Sequence, residues 1–200
     1  MKIKKILLID NYDSFTYNLY QMIGSLLEKH KIPFQLDVIR NDALDINQIK
    51  KQDVDAIVIS PGPGHPASEA YFGVCNQVIK TFETTPILGV CLGMQGIALA
   101  YGASLSVGDA VCHGKTSLVH HTKEGLFKDL PTPLSCMRYH SIVVEDLPEG
   151  FSKTAYSTED GTDIIMGISH QTRPLHGLQF HPESFATEGG EKMLETFLCL

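Results

Sequence analysis

The sequence has no surplus of positive charge. Sixteen Lys and Arg stand against 23 Asp and Glu, a formal net charge of −7, so the basic footprint that a nucleic-acid or anionic-membrane surface requires is missing. No long apolar run is present either. The opening MKIKKILLID is basic and then apolar for only four residues before Asp10, too short for a signal-peptide core or a membrane span. Cysteine is sparse and scattered: five residues, at 75, 91, 112, 136 and 199, with no C-x-x-C pair. That distribution argues against a disulfide framework or a Cys-based metal cluster and implies free thiols in a reducing, cytoplasmic compartment. Repeats, low-complexity tracts and linkers are absent as well. The expectation is one soluble globular domain over residues 1–200, 43% apolar and 20% charged, with a small-molecule substrate or a protein partner and no nucleic acid or membrane.

In the first half, short apolar or β-branched runs alternate with helical patterns, as in βαβ units. Strands are predicted at KKILLID (4–10), FQLDVIR (34–40), DAIVIS (55–60) and PILGVC (86–91). Phe15, Leu19, Met22, Ile23, Leu26 and Leu27 recur at helical spacing over 14–30, with Asp13 or Ser14 as N-cap. Further helices are predicted over 68–82 and from Leu92 to Gly102. After Gly102 come short alternating segments, TSLVHH, LSCMRYHSIVVE, KTAYST and DIIMGISH, then a strand in HGLQFHPES (176–184) and a closing helix in GGEKMLETFLCL. The predicted fold class is α/β: a flavodoxin-like, open, mostly parallel sheet with helices on both faces and an antiparallel extension in the second half.

Cys91 lies between two glycines in Gly89-Val90-Cys91-Leu92-Gly93, where a strand passes into a helix. A nucleophile elbow needs this arrangement, because a strained turn exposes the reactive atom and glycines let neighbouring backbone approach. The helix N-terminus favours thiolate over thiol there. Buried cysteines also occur at strand ends, so the motif alone leaves a packed thiol and a nucleophile both open. A nucleophile needs a base, and the base an orienter. In QFHPES, His181 and Glu183 are two apart at a strand's end and are expected to project to the same side, with Pro182 stiffening the backbone between them. The other histidines, including His65, His113, His120, His121, His140 and His170, lack ligand-type spacing, so no metal is called for.

ISPGPGHPA (59–67) formally matches the dinucleotide pattern G-x-G-x-x-A. Pro61, Pro63 and Pro66 have no N–H, however, and a phosphate cradle needs several successive donors, so no cofactor is expected. The isolated N–H groups of Gly62 and Gly64 on a stiff frame suit a single oxyanion, or else the loop is a rigid turn.

Together, GVCLGMQG, SPGPGHP and HPES resemble the class I glutamine amidotransferases. DNYDSFTYNL, HGKTS (113–117) and RYHSIVV (138–144) are similar to the small glutaminase subunits of anthranilate and aminodeoxychorismate (para-aminobenzoate) synthases. The resemblance covers essentially the whole chain. It implies Cys91 as nucleophile, His181 as general base then acid, Glu183 as orienter, and the Gly62 and Leu92 amides as oxyanion hole. Glutamine would be held by Gly62-Pro63-Gly64, by Gln95 and by Ser141-Ile142. Gln95 also has a direct argument, since it lies one helical turn after Cys91 and hence on the same face. L-Glutamine is then the substrate, and a separate chorismate-binding synthase subunit the partner that receives ammonia. Tyr12 and Tyr17 in DNYDSFTYNL would lie near that partner, or are ordinary half-buried packing. Family members commonly have His where this chain has Met94; that position lies about 300° around the helix from Cys91 and belongs to none of the catalytic roles above, so the change is expected to leave the chemistry intact. Two other readings stand beside this one: a different Cys-His-Glu hydrolase, such as a γ-glutamyl hydrolase or a thiol stress protein, and a catalytically silent regulatory subunit.

Overall fold

The structure, a computed structural model, describes residues 4–107 and 114–199; His113 of the HGKTS segment and the thiol of Cys112 lie outside the described residues. The first half alternates strand and helix: β1 (Lys4–Asp10), α1 (Thr16–Lys29), β2 (Phe34–Arg40), α2 (Ile46–Lys50), β3 (Ala56–Ile59), α3 (Glu69–Phe72), α4 (Cys75–Thr81), β4 (Ile87–Val90) and α5 (Leu92–Ala100). The second half carries β5 (Leu105–Val107), β6 (Lys115–His121), β7 (Leu134–Arg138), β8 (Ile142–Val144), β9 (Phe151–Glu159), β10 (Thr162–His170) and β11 (Leu175–Leu178), and closes with α6 (Gly190–Phe197). A nine-stranded sheet runs in the order β2-β1-β3-β4-β11-β10-β9-β6-β7. Its first five strands are parallel and its last four join antiparallel, while β5 and β8 form a separate antiparallel pair.

Parallel strands covered on both faces need near-continuous apolar sequence, and β3 and β4 are buried throughout. Alternate residues of one strand go to opposite faces. Ile6, Leu8, Val58 and Val90 pack with Leu19, Ile23, Leu26 and Leu27 of α1 and with Met193, Leu194 and Phe197 of α6. Leu7, Ile9, Ile57 and Ile59 face Ile49, Phe72, Val78 and Ile97, from α2 to α5. Met94 belongs to this second core, fully buried and close against Gly177 and away from solvent.

Several expectations need correction. The helix predicted over 68–82 is two helices, because Gly73 takes φ +44° and a Cβ there would lie 2.3 Å from the Asn41 carbonyl oxygen. That carbonyl accepts the Val74 N–H at 2.8 Å instead of leaving it to a helix. Neither Asp13 nor Ser14 caps α1; the N-cap position is Phe15, without a side-chain cap, and the Asp13 carboxylate accepts the Phe15 N–H at 2.7 Å. Helix α2 was not anticipated, although Asp45 and Gln48 form a reciprocal capping box that its sequence advertises. LSCMRYHSIVVE is two strands in two different sheets, parted at residues 139–141. The strand in HGLQFHPES ends at Leu178, short of the histidine.

The turn from β4 into α5 depends on direct backbone contact. A Cβ on Gly93 would sit 2.6 Å from the Ile59 carbonyl oxygen, and one on Gly89 would sit 2.5 Å from the Gly93 carbonyl carbon. Neither neighbour is a flexible side chain that could yield. Gly93→Ala is expected to destabilise the fold by about 1–3 kcal/mol, read as a lowered urea midpoint at unchanged m-value.

Candidate active site

At the end of β4 the chain does not enter α5 smoothly. Cys91 takes φ +51° and ψ −103°, a left-handed conformation that costs a non-glycine residue about 1–3 kcal/mol and persists only when its surroundings enforce it. Here the Cys91 N–H donates to the Leu178 carbonyl of the neighbouring β11 at 2.7 Å. The Gln95 N–H takes up the Cys91 carbonyl at 3.0 Å, closing the first turn of α5.

Strand β11 pairs with β4 rung for rung, Leu178 opposite Val90. Beyond the strand the chain turns back. The His181 N–H donates to the Met137 carbonyl at 3.0 Å, and Thr187 ties both residues together, donating its hydroxyl to the His181 carbonyl at 2.6 Å and accepting the Met137 N–H at 3.0 Å. His181 and Glu183 therefore meet through a turn and not through strand alternation, with Nδ1 2.6 Å from Oε1. A carboxylate only accepts, so Nδ1 carries the proton and Nε2 is the atom left for Cys91. Burial alone would lower the His181 imidazole; hydrogen bonding and charge from Cys91 and Glu183 outweigh it and push the group up to about 10. Phe15 and Tyr139 meet the imidazole edge-on, at ring-centre distances of 5.7 and 5.1 Å, and stack on each other at 5.0 Å.

On the other side of Cys91 lies a cavity of about 170 Å³. Six of the glutamine-site candidates, Gly62, Pro63, Gly64, Gln95, Ser141 and Ile142, line it together with Cys91, Tyr139 and His140. His181 and Glu183 do not line it; they border a separate hollow of about 120 Å³ with Phe15, Tyr139 and Phe185. Gly62 packs against the Leu92 side chain, closely enough that a Cβ on it would lie 2.8 Å from Leu92 Cδ2. The Pro/Gly loop rests on Asn11, whose N–H and side-chain amide donate to Ser60 Oγ at 2.8 Å and to the Ser60 carbonyl at 2.9 Å. Asn41 donates to Asn11 Oδ1 at 2.9 Å.

Sequence reasoning missed Phe15 and Tyr139 around the imidazole, Asn11 beneath the loop, and His140 and Gln179 beside the cavity. All five lie inside segments already read, DNYDSFTYNL, RYHSIVV and QFHPES, but only tertiary contact gives them partners. The other buried thiols differ from Cys91 in setting. Burial pushes Cys136 up to about 12 and raises Cys75 as well. Tyr12 and Tyr17 are 52% and 58% exposed.

A strained cysteine on an elbow, a buried imidazole-carboxylate pair and a Pro/Gly loop are thus brought to one end of the parallel sheet. The model of the family "Glutamine amidotransferase class-I" matches residues 7–200, and the chain belongs to that family. It is 47% identical over 198 residues to "Anthranilate synthase component 2" of Leptospira biflexa, covering 97% of this chain and 98% of that one. With the protein of the same name from Pseudomonas aeruginosa it shares 48% identity over 198 residues, covering 96% and 94%. It is also 44% identical over 193 residues to "Aminodeoxychorismate synthase" of Streptomyces griseus, where the match covers 96% of this chain but 25% of the longer relative. A solved structure of a candidate GMP synthase component from Thermoplasma acidophilum superposes with a TM-score of 0.83 at 26% identity, covering 100% of this chain and 94% of that one. No helix among the described residues is long and apolar enough to cross a membrane.

His140 is buried beside Arg138, and burial followed by the guanidinium charge lowers it to about 3. Below the ordinary histidine value of about 6.5 the unfolded chain takes up a proton that the folded chain refuses, so stability falls as pH drops from about 6.5 toward 3 and is intact above that window. The slope from this group is about 1.4 kcal/mol per pH unit, with His176, also lowered by burial, acting in the same direction. Urea unfolding at pH 7 and pH 5 is expected to show the loss, and His140→Asn to remove about one proton from the slope.

Proposed function

We propose that the chain, as one glutamine amidotransferase domain over 1–200, hydrolyses L-glutamine to glutamate and passes ammonia to a separate chorismate-using synthase subunit. The observation that carries the reading is the strained Cys91 set between the buried His181–Glu183 pair and the cavity lined by Gly62, Gln95 and Ile142.

The Cys91 sulfur attacks the side-chain amide carbon of glutamine. A C–S bond forms and the carbonyl π pair moves to oxygen, where the Gly62 and Leu92 amides hold it. The C–N bond then breaks and the His181 imidazolium gives its proton to the leaving nitrogen, releasing ammonia and leaving a γ-glutamyl thioester. Two of the influences that keep His181 protonated come from Cys91. Acylation removes the negative charge on sulfur, so the imidazole becomes a readier base at the moment when water must be activated. Water adds to the thioester carbon, His181 takes its proton, and glutamate leaves as the sulfur is regenerated. Glu183 keeps the imidazole in the tautomer that both half-reactions use. Pro63, Gly64, Ser141 and Ile142 contact the glutamine, and Gln95 recognises it from the helix.

The pathway reading follows the relatives named anthranilate synthase component 2 and aminodeoxychorismate synthase. The chorismate chemistry falls to a second chain, met in part by the DNYDSFTYNL segment. The cytoplasm is the expected compartment, and the family membership favours this reading over a γ-glutamyl hydrolase.

A glutamine-analogue electrophile is expected to label Cys91 stoichiometrically by mass, with free glutamine protecting it and Cys75 and Cys136 left unmodified; labelling that glutamine does not block would sink the reading. Gly62→Ala would drive a Cβ to within 2.6 Å of Asn11 Cβ and displace one oxyanion donor, so a loss of roughly 10²–10³ in kcat is expected. Met94→His, in the core away from the sulfur, is expected to leave kcat within about threefold, since the side chain meets none of the reacting atoms. Co-purification with each candidate synthase subunit, followed by glutamine-dependent assay of both products, identifies the acceptor. Asp13→Lys with Tyr12→Ala is expected to weaken that association, and unchanged binding would remove the segment from the interface.

A further inference from the structure

Gln179, two residues before His181 and fully buried, is assigned no role by the reading above. Its side-chain amide nitrogen lies 3.6 Å from Cys91 Sγ, and its oxygen 3.2 Å from Gln95 Nε2. The orientation of both amides follows from the Ile142 carbonyl, an acceptor shared by Gln95 and by His140, whose ring Arg138 holds. A guanidinium only donates, so Arg138 Nε, 3.0 Å from His140 Nε2, fixes that ring nitrogen as acceptor. The proton of the neutral ring is then on Nδ1, which donates to the Ile142 carbonyl at 2.9 Å. The same carbonyl lies 3.0 Å from the Gln95 side chain and can only accept, so the group facing it is the amide nitrogen. The second N–H of that nitrogen points to Gln179 Oε1, which turns the Gln179 amide nitrogen toward the sulfur. The Ile142 carbonyl accepts from both His140 and Gln95, and from Gln95 the donation runs one way through Gln179 to the sulfur.

We infer that Gln179 is a hydrogen-bond donor to the Cys91 sulfur and, through its carbonyl, the positioning residue for Gln95. An N–H aimed at sulfur favours its anionic form, and an N–H to a charged acceptor is worth more than one to a neutral group. Gln95, with both amide hydrogens committed to Ile142 and Gln179, has only its oxygen to offer the cavity. The ligand group it meets is therefore an N–H donor, either the ammonium or the side-chain amide of the amino acid. The charged or titratable groups that bear on the sulfur are His181, with Glu183 and Asp13 behind it; His140, held by Arg138, shares only the Ile142 carbonyl with Gln95.

The inference rests on Cys91 being the nucleophile, and the two fail differently. Cys91→Ser with undiminished turnover overturns the nucleophile. The donor role is read without substrate, from the rate of iodoacetamide alkylation of Cys91 against pH, followed by peptide mass. In Gln179→Met, which keeps length and removes the N–H, the pH of half-maximal rate is expected to rise by about one unit or more. The KM for glutamine is expected to rise about tenfold as Gln95 loses its anchor. Gln179→Glu, which replaces the donor by a carboxylate, is expected to shift the alkylation profile further in the same direction. An alkylation profile within 0.2 unit (~0.2 as a resolution limit) of the unmodified chain in either folded variant overturns the donor role, and an unchanged KM overturns the positioning role. Because a core substitution can prevent folding, the contact is also read with Gln179 intact: its side-chain amide proton resonances are expected to move with pH at the alkylation midpoint and to lose that dependence in Cys91→Ala. Resonances indifferent to both overturn the inference.

Discussion

The site depends on one backbone constraint, the left-handed conformation of Cys91 at the end of a central strand. A residue with a Cβ adopts it at a cost of about 1–3 kcal/mol, and the rest of the molecule supplies what keeps it there. The sheet holds β4 between β3 and β11, Leu178 accepts the Cys91 N–H, and Gly89 and Gly93 remove the two side chains that would push the turn open. The strain directs the sulfur out of the strand toward the space between the His181 turn and the Pro/Gly loop. A relaxed residue at this position would run on into the helix and point elsewhere.

Two histidines near this sulfur are alike in burial and opposite in charge, because at one of them the neighbours add to burial and at the other they outweigh it. His140 and His181 are both nearly inaccessible, 4% and 2% exposed, and burial opposes the charged form of each. Beside His140 stands the guanidinium of Arg138, and the imidazole is held neutral. Beside His181 stand Glu183 and the Cys91 sulfur, and the imidazole is held charged. The neutral ring has a donor and an acceptor nitrogen and so bridges Arg138 to the Ile142 carbonyl beside the cavity; the charged ring has two donors. The same side chain is held neutral as a bridge in one place and charged beside a carboxylate in the other.

Much of this was legible in the sequence, for identifiable reasons. The parallel strands are contiguous apolar runs because both of their faces are covered, and β1 and β2 coincide with the predicted spans. The strained turn at Cys91 was legible from its flanking glycines, and the placing of Gln95 beside Cys91 at one cavity from helical spacing. The break between α3 and α4 was not, since the reason for it is a carbonyl of Asn41 that only the tertiary fold brings to Gly73. Nor was the meeting of His181 with Glu183 legible as it occurs: alternation along a strand suggested a shared side, whereas the strand stops at Leu178 and a turn anchored on Met137 and Thr187 does the work. Asn11, His140 and Gln179 carry no local signal at all, because a polar residue's value inside a fold lies in partners far away in sequence.

Cys91 and His181 are distant along the chain, yet they extend from adjacent strands, β4 and β11, paired with Val90 opposite Leu178. Their spacing is therefore a property of one rung of the sheet. Everything from β5 to β10 is an excursion that leaves the rung on one side and returns on the other. That segment still returns Met137 to the His181 N–H and Tyr139, Ser141 and Ile142 to the cavity, so the rung is a fixed centre and the excursion is free to change length or outer surface only outside residues 137–142.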